Sequence, residues 1–327
     1  MSFTVTRESF DRLTSYWNES SFGLKWGSVF ILPSWLETWW HTFQPETELY
    51  LTAVRDKSGI IGIAPLHLKD GEARFVGSPD VCDYQDFIIV PGRETEFYEV
   101  LLDDLARQGV NQLDLNAVRL DSSVMTSLVN VVENHGGVVN RREEDVTVEM
   151  DLPGDWEKYL DSLDKKQRHE VRRKLRRLWG AGDVYYHCQE VSLEDVGGLT
   201  DTFLKLFSLS REEKADFMTS QMQVFFRSLA EAMAKIKLLR YGILEVESHP
   251  AAMIMGFEYD QAMYLYNSAY DPRYNSLSAG LLSKVLCIKE SIERGRKKWD
   301  FLKGAERYKY QLGGGEIRLY RCRITIK

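Results

Sequence analysis

Tyr264-Leu-Tyr-Asn-Ser-Ala-Tyr-Asp-Pro-Arg-Tyr-Asn-Ser-Leu-Ser-Ala-Gly280, a helical run to Gly295, and then Trp299-Asp-Phe-Leu-Lys-Gly-Ala-Glu-Arg-Tyr-Lys309 form the stretch whose reading decides the fold. Met263 to Tyr270 reads as a strand. Asp271-Pro272 breaks it, because proline cannot continue a ladder and restrains the residue before it. Ser276, Ser278 and Gly280 are small residues that lead into a helix, Leu281 to Arg294. A strand, a small-residue loop and a helix N-terminus leave several N–H groups unpaired and pointing one way, which suits an anion. An ordinary serine-capped connection accounts for the same residues.

The 327-residue chain exceeds the usual size of one core, so two domains are expected. Its formal net charge of −7 argues against wholesale nucleic-acid binding, DNA included. Cys82, Cys188, Cys287 and Cys322 lie far apart, with neither metal-ligand spacing nor a secreted disulfide framework, so no metal is expected. Arg7, Asp11, Arg12 and Glu19 interrupt any signal-peptide core, and no apolar run approaches the ~20 residues that span a bilayer. A soluble, reduced, cytoplasmic protein is the expectation.

Outward from the opening stretch, the two halves repeat one element order. In the N-terminal half, Pro33-Ser34 opens a helix whose aromatic residues recur at core spacing. Strands 48–55 and 59–68 turn at Asp56-Lys57-Ser58-Gly59. Strands 73–76 and 86–90, a helix 96–108 and a strand 112–116 follow. In the C-terminal half, helices at 193–211 and 219–235 precede strands 236–247 and 251–258, then the opening stretch. Gln108-Gly109 to Asp114 superposes on Arg294-Gly295 to Asp300: a helix ends at a glycine suited to a left-handed cap, and an aspartate follows five residues on. Duplication of one α/β unit with mixed sheets follows, with domains at 1–150 and 151–327.

Between the halves, Asp164 caps a helix with one apolar stripe, Val171, Leu175 and Leu178. Eight of the thirteen residues from Lys165 to Arg177 are Lys or Arg. Arg168 and Arg172 share a face and are expected to clamp an anionic substrate, with Arg173, Lys174 and Arg177 in solvent.

Four segments now combine: Pro33-Ser-Trp-Leu-Glu-Thr-Trp-Trp40; Gly62-Ile-Ala-Pro-Leu66; Leu163-Asp-Lys-Lys-Gln-Arg-His-Glu-Val-Arg-Arg173; and Tyr270-Asp-Pro through Ser278-Ala-Gly280 and Asp300-Phe-Leu-Lys-Gly304 to Tyr308-Lys309. In this order they resemble GNAT-superfamily acyltransferases, in the cellulose-biosynthesis-associated acetyltransferase-like branch, which is similar to the FemAB aminoacyltransferases. The resemblance implies two tandem GNAT-like domains in a FemAB-like arrangement. It also implies acyl transfer from a thioester or an aminoacyl-tRNA to an amine or hydroxyl.

Carried over residue by residue, the resemblance places the pyrophosphate of acyl-CoA (acetyl-CoA) on Ser276, Leu277, Ser278, Ala279 and Gly280. The usual Q/R-x-x-G-x-G/A pattern is missing there. Lys309 matches the lysine of a FemAB motif and is expected to stabilise an oxyanion. Tyr308 is expected to protonate the leaving thiolate, with Tyr310 as its competitor. Asp300 is a candidate proton acceptor; because Asp114 occupies the equivalent place in the other half, a structural role for both aspartates is the alternative. Tyr270 and Asp271 border the acceptor side, Asp271 as a ligand or a loop cap. The expected acceptor is a small molecule or a cell-envelope or polysaccharide component. A tRNA donor is the alternative, and the chain has no heptad arm for it. The active half is expected to be C-terminal, since Pro91-Gly92-Arg93-Glu94-Thr95-Glu96 puts two acids at the N-terminal half's helix start.

Overall fold

Apolar runs bounded by turn residues give strands in both halves, and the computed structural model describes residues 2–210 and 212–326. In chain order the first unit contains β1 (Thr4–Arg7), α1 (Phe10–Asn18), α2 (Pro33–Phe43), β2 (Glu48–Asp56), β3 (Gly59–Lys69), β4 (Glu72–Phe75), β5 (Ile88–Ile89), α3 (Glu94–Arg107), β6 (Gln112–Arg119) and α4 (Val129–Asn134). Strand β7 (Val138–Asp151) leads out of it. The second unit holds α5 (Trp156–Ser162), α6 (Lys165–Trp179), β8 (Val184–Glu190), α7 (Val196–Ser210), α8 (Glu212–Phe217), α9 (Ser220–Lys235), β9 (Leu239–Val246), β10 (His249–Tyr259), β11 (Ala262–Tyr270), α10 (Ala279–Glu293), β12 (Lys298–Lys303) and α11 (Arg307–Gln311), and β13 (Gly315–Thr325) closes the chain.

The two units run through the same topology. In the first, β1-β2-β3-β4 is an antiparallel set, α3 crosses over, and β6 lies parallel to β4. In the second, β8-β9-β10-β11 is antiparallel, α10 crosses over, and β12 lies parallel to β11. The matched glycines behave alike. Gly109 and Gly295 take φ of +79° and +74°, the left-handed region glycine enters without penalty. Two residues further on, Asn111 and Lys297 donate to Gly71 O and Gln261 O, which starts each parallel pair in register. The aspartates that follow, Asp114 and Asp300, are both buried.

Each row ends in a strand from far along the chain. Residues Leu319 to Thr325 of β13 pair antiparallel with β6, while Thr147 to Asp151 of β7 pair antiparallel with β12. The compact units are therefore 1–146 with 317–327, and 147–316. The expectation of 1–150 and 151–327 keeps β13 in the second unit; its ladder to β6 places it in the first. Two smaller differences have local causes. Strand 86–90 shrinks to Ile88–Ile89, and the turn before β10 is Glu247-Ser248, both left-handed, with Pro250 beside a bulge inside the strand.

Each unit has its own apolar core, centred on Phe97, Leu101 and Leu113 in the first and on Val285, Ile288 and Trp299 in the second. The aromatic helix α2 contributes Trp35, Leu36 and Trp39 to the buried side of the first. The four cysteines are free. No helix among the described residues is long and apolar enough to cross a membrane.

Asp114 supplies a test of the first unit. It is fully buried and accepts from Arg321 Nε and Nη2 at 2.6 and 2.5 Å, with Arg323 and Arg74 at 3.6 and 3.7 Å. Burial alone would raise its pKa, but the Arg321 hydrogen bonds and the three arginine charges outweigh burial and hold it below the usual carboxylate range. A depressed folded-state pKa stabilises above the unfolded value, near 3.9, and that contribution is lost as pH falls below it. Asp114→Asn is expected to cost about 3 kcal/mol at pH 7, the low end for breaking a buried pair. In urea melts the gap between the two proteins should close as pH falls from about 5 to 3; a constant gap would rule out this pairing as its source.

Candidate active site

The site is organised by the point where β11 leaves β12. Parallel pairing runs only from Ala262/Lys298 to Tyr264/Asp300. Beyond that pair, β11 continues to Tyr270 without β12, and its pairing to β10 slips between Met255 and Phe257. A bulge and a missing neighbour together splay the two strands into a V. The far end of β11 is held by α7 instead: the buried Ser210 hydroxyl donates to Tyr270 O at 3.0 Å and accepts from Tyr270 N at 2.8 Å.

The chain then turns through Asp271 to Ser278 into α10. Asp271 caps this turn. Its carboxylate accepts from Arg273 N at 2.9 Å and from the Arg273 guanidinium at 2.6 and 2.8 Å. The Arg273 hydrogen bond is the main reason its pKa lies below the ordinary range. The capping role, not a substrate contact, is what the geometry shows for Asp271.

Helix α10 begins without a side-chain cap. Ser278, at φ +59°, precedes it, and its carbonyl accepts from Leu281 N and Leu282 N. Among the described residues, the N–H groups of Ala279 and Gly280 have no partner. These are the orphan donors of a fifteen-residue helix, where the dipole favours an anion. Gly280 is required by close approach: a Cβ there would meet the Tyr270 ring at 2.9 Å.

The basic helix reaches this turn through a residue the sequence reading left in solvent. Arg177 Nη2 donates to Ser278 Oγ at 3.1 Å. Arg168 and Arg172 instead pair with Asp161 and Glu157, at 2.7 and 2.8 Å. Val171 and Leu178 are the buried side of α6, and on its outer side the expected clamp is spent on α5.

Lys309 is 2% exposed. Its ammonium donates to Leu302 O, Lys303 O and Gly304 O at 2.9, 2.6 and 3.0 Å and pairs with Glu306 at 2.9 Å. All three N–H vectors are thereby committed to the protein. Leu302 sits at φ +63° in a bulge, and its own N–H donates to Asp300 Oδ1 at 2.8 Å. Thr147 Oγ1 also reaches that oxygen, at 3.4 Å. Asp300 and Lys309 thus hold opposite sides of one strained residue at the exit of β12.

Tyr308 is partly buried, 6.2 Å between ring centroids from Phe301. Tyr310 is exposed and donates to Glu316 at 2.9 Å; burial and that carboxylate raise its pKa, which keeps the phenol protonated. The residue the sequence reading missed is Lys284. It is buried one turn into α10, donates to Gly280 O at 2.7 Å, and lies 5.1 Å over the Tyr308 ring. Lys284 therefore joins the turn and the tyrosine, the two parts of the expected site. Its only sequence signal is a lysine four residues after a glycine.

Residues 165–310 match the family model described as an acetyltransferase (GNAT) domain. The match opens on α6 and closes in α11, inside the second unit, and it covers the splayed strands and the turn. No curated protein matches the chain. FemX is similar over 97% of this chain and 96% of its own, at a TM-score of 0.64 and 11% identity. A tandem GNAT protein from the clavulanic acid biosynthesis pathway is similar over 99% and 98%, at 0.50 and 12%. The C-terminal domain of a putative lysylphosphatidylglycerol synthetase from Agrobacterium fabrum is similar over 86% and 84%, at 0.54 and 8%. At these identities the likeness is one of fold: a mixed α/β chain of two GNAT-like units in tandem, the second of them carrying the match to the GNAT domain model.

Proposed function

We propose that this chain is an acyl-CoA-dependent acyltransferase, moving an acyl group, acetyl in the simplest case, to an amine or hydroxyl in the V between β11 and β12. The observation that carries the reading is the departure of β11 from β12 toward an uncapped helix N-terminus. Thioester and anion binding need that combination: an open strand edge for the acyl arm and free amides for the pyrophosphate. In this reading the amides of Ala279 and Gly280, with Arg177, hold the pyrophosphate. The acceptor's nitrogen or oxygen attacks the thioester carbonyl and gives up its proton to solvent, the C–S bond breaks, and the departing thiolate takes a proton from Tyr308, which solvent then restores. Lys284 keeps Tyr308 against the turn. Lys309 and Asp300 are positioning residues that fix the exit of β12.

The acceptor is a small molecule or a cell-envelope or polysaccharide component. The cellulose-associated branch rests on the four sequence segments. A tRNA-borne donor is the second reading, favoured by the exposed Lys165, Lys166, Arg172, Arg173 and Arg176 on α6. Release of free thiol from acetyl-CoA, followed across a panel of amines and alcohols, tests the proposal. Acceptor-dependent release is expected, and Tyr308→Phe should lower turnover about 10²- to 10³-fold with little change in KM. Unchanged turnover in that variant would remove Tyr308 from the chemistry. Retention on tRNA with no thiol release would favour the second reading.

A further inference from the structure

The first unit has a cavity of its own, about 380 Å³, within the range of small-molecule sites. It opens where β4 leaves β6, since only Glu72 and Ala73 pair with Gln112 and Leu113. The ladder pairs His67 with Arg74 and sets Asp114 beside Arg74, so these three form one row across the strands. In the second unit the matching row is Phe257, Tyr264 and Asp300, all buried. The fold does not require charge at these places, because one copy fills them with aromatic rings. The other copy has a histidine and an arginine there and leaves space.

The wall of this space carries unused hydrogen-bonding groups. Trp39 is 5% exposed and His67 9% exposed, and both line it. Trp39 Nε1, His67 Nδ1 and Thr47 Oγ1 are buried without a partner. Buried polar atoms are rarely left so. An indole N–H can only donate, and a threonine hydroxyl can donate as well. Lys69 lies on the rim, and among the described residues it forms no ion pair. Asp114 does not supply the missing partner, since Arg321 already holds both its oxygens. Burial, and then the Arg74 charge, push the His67 pKa down to about 4, so its ring is neutral near pH 7. Donors and a spare ammonium call for acceptor oxygens with negative charge. The Trp39 and Phe75 walls call for a flat apolar body.

We infer that the first unit binds a small organic carboxylate with a flat apolar body, of about the size of benzoate, its oxygens taken by Trp39, Thr47 and Lys69. This site stands independently of acyl transfer in the second unit. Calorimetric titration of the full chain with benzoate and 4-hydroxybenzoate tests it, with benzamide as the neutral isostere and inorganic phosphate as an anion lacking the flat body. Carboxylates should bind at least about tenfold more tightly than benzamide, and phosphate more weakly still. Trp39→Phe, Lys69→Gln and Thr47→Val should each weaken binding about tenfold at an unchanged unfolding midpoint. Thr47→Val alone suffices if the indole variant unfolds. No carboxylate binding up to roughly 10 mM, equal binding of benzamide, preferential binding of phosphate, or unchanged affinity in the variants would overturn the assignment.

Discussion

Lys309→Met is expected to lower the thermal midpoint of the second unit by about 8–15 °C, from a loss of about 3–5 kcal/mol. The substitution keeps the unbranched side chain to within one atom of its length and removes its ammonium. Three carbonyls, Leu302 O, Lys303 O and Gly304 O, then lose their donor. A buried carbonyl left unsatisfied costs about 1–3 kcal/mol, and water can rescue those nearer the surface. Leu302 would also lose what holds it at φ +63°. An oxyanion donor would behave in the opposite way, with turnover falling and the melt unchanged. Thermal melts and turnover measured on the same preparation separate the two: an intact midpoint with lost activity would return Lys309 to the chemistry.

Ser278→Asp is expected to weaken coenzyme A binding about 30- to 100-fold, or about 2–3 kcal/mol. Position 278 is left-handed, a conformation aspartate tolerates, so the turn should keep its shape. The new carboxylate would stand beside the open amides of Ala279 and Gly280 and draw Arg177 to itself. It would repel a pyrophosphate and remove one of its cations at the same time. Calorimetry against coenzyme A checks this, with Ser278→Ala as the neutral control, expected to change affinity only severalfold. Equal affinity in all three proteins would place the anion site elsewhere.

What could be read from the residues follows from how local the cause is. The Gly109–Asp114 and Gly295–Asp300 match was legible because left-handed caps and strand starts are written within six residues. So was the turn into α10. The role of Lys309 was not, because its acceptors depend on a bulge at Leu302 that pairing with Val148 creates. Lys284 was hidden because α10 is covered on several sides: Leu282, Ser283, Lys284 and Val285 are all buried, so helical spacing marks no solvent face. Arg168 and Arg172 are taken up by Asp161 and Glu157 on α5, partners that a stripe of three apolar residues does not reveal, so it could not distinguish Arg177 from Arg172. The exchange of β7 and β13 depends on pairings roughly two hundred residues apart, such as Asp114 with Arg323. Trp39 was read as core, which it is, but its helix spacing says nothing of the space beside His67.

Backbone hydrogen exchange of the full chain, with and without coenzyme A, tests the central assignment most directly. Protection is expected at the first turn of α10 and at the end of β11, residues 268–284, because those amides would gain an acceptor or lose solvent. The start of α3 in the first unit, residues 92–98, should exchange as before. Protection at α3 instead of α10, or no protection in either, would contradict the placement of the acyl-CoA site in the second unit.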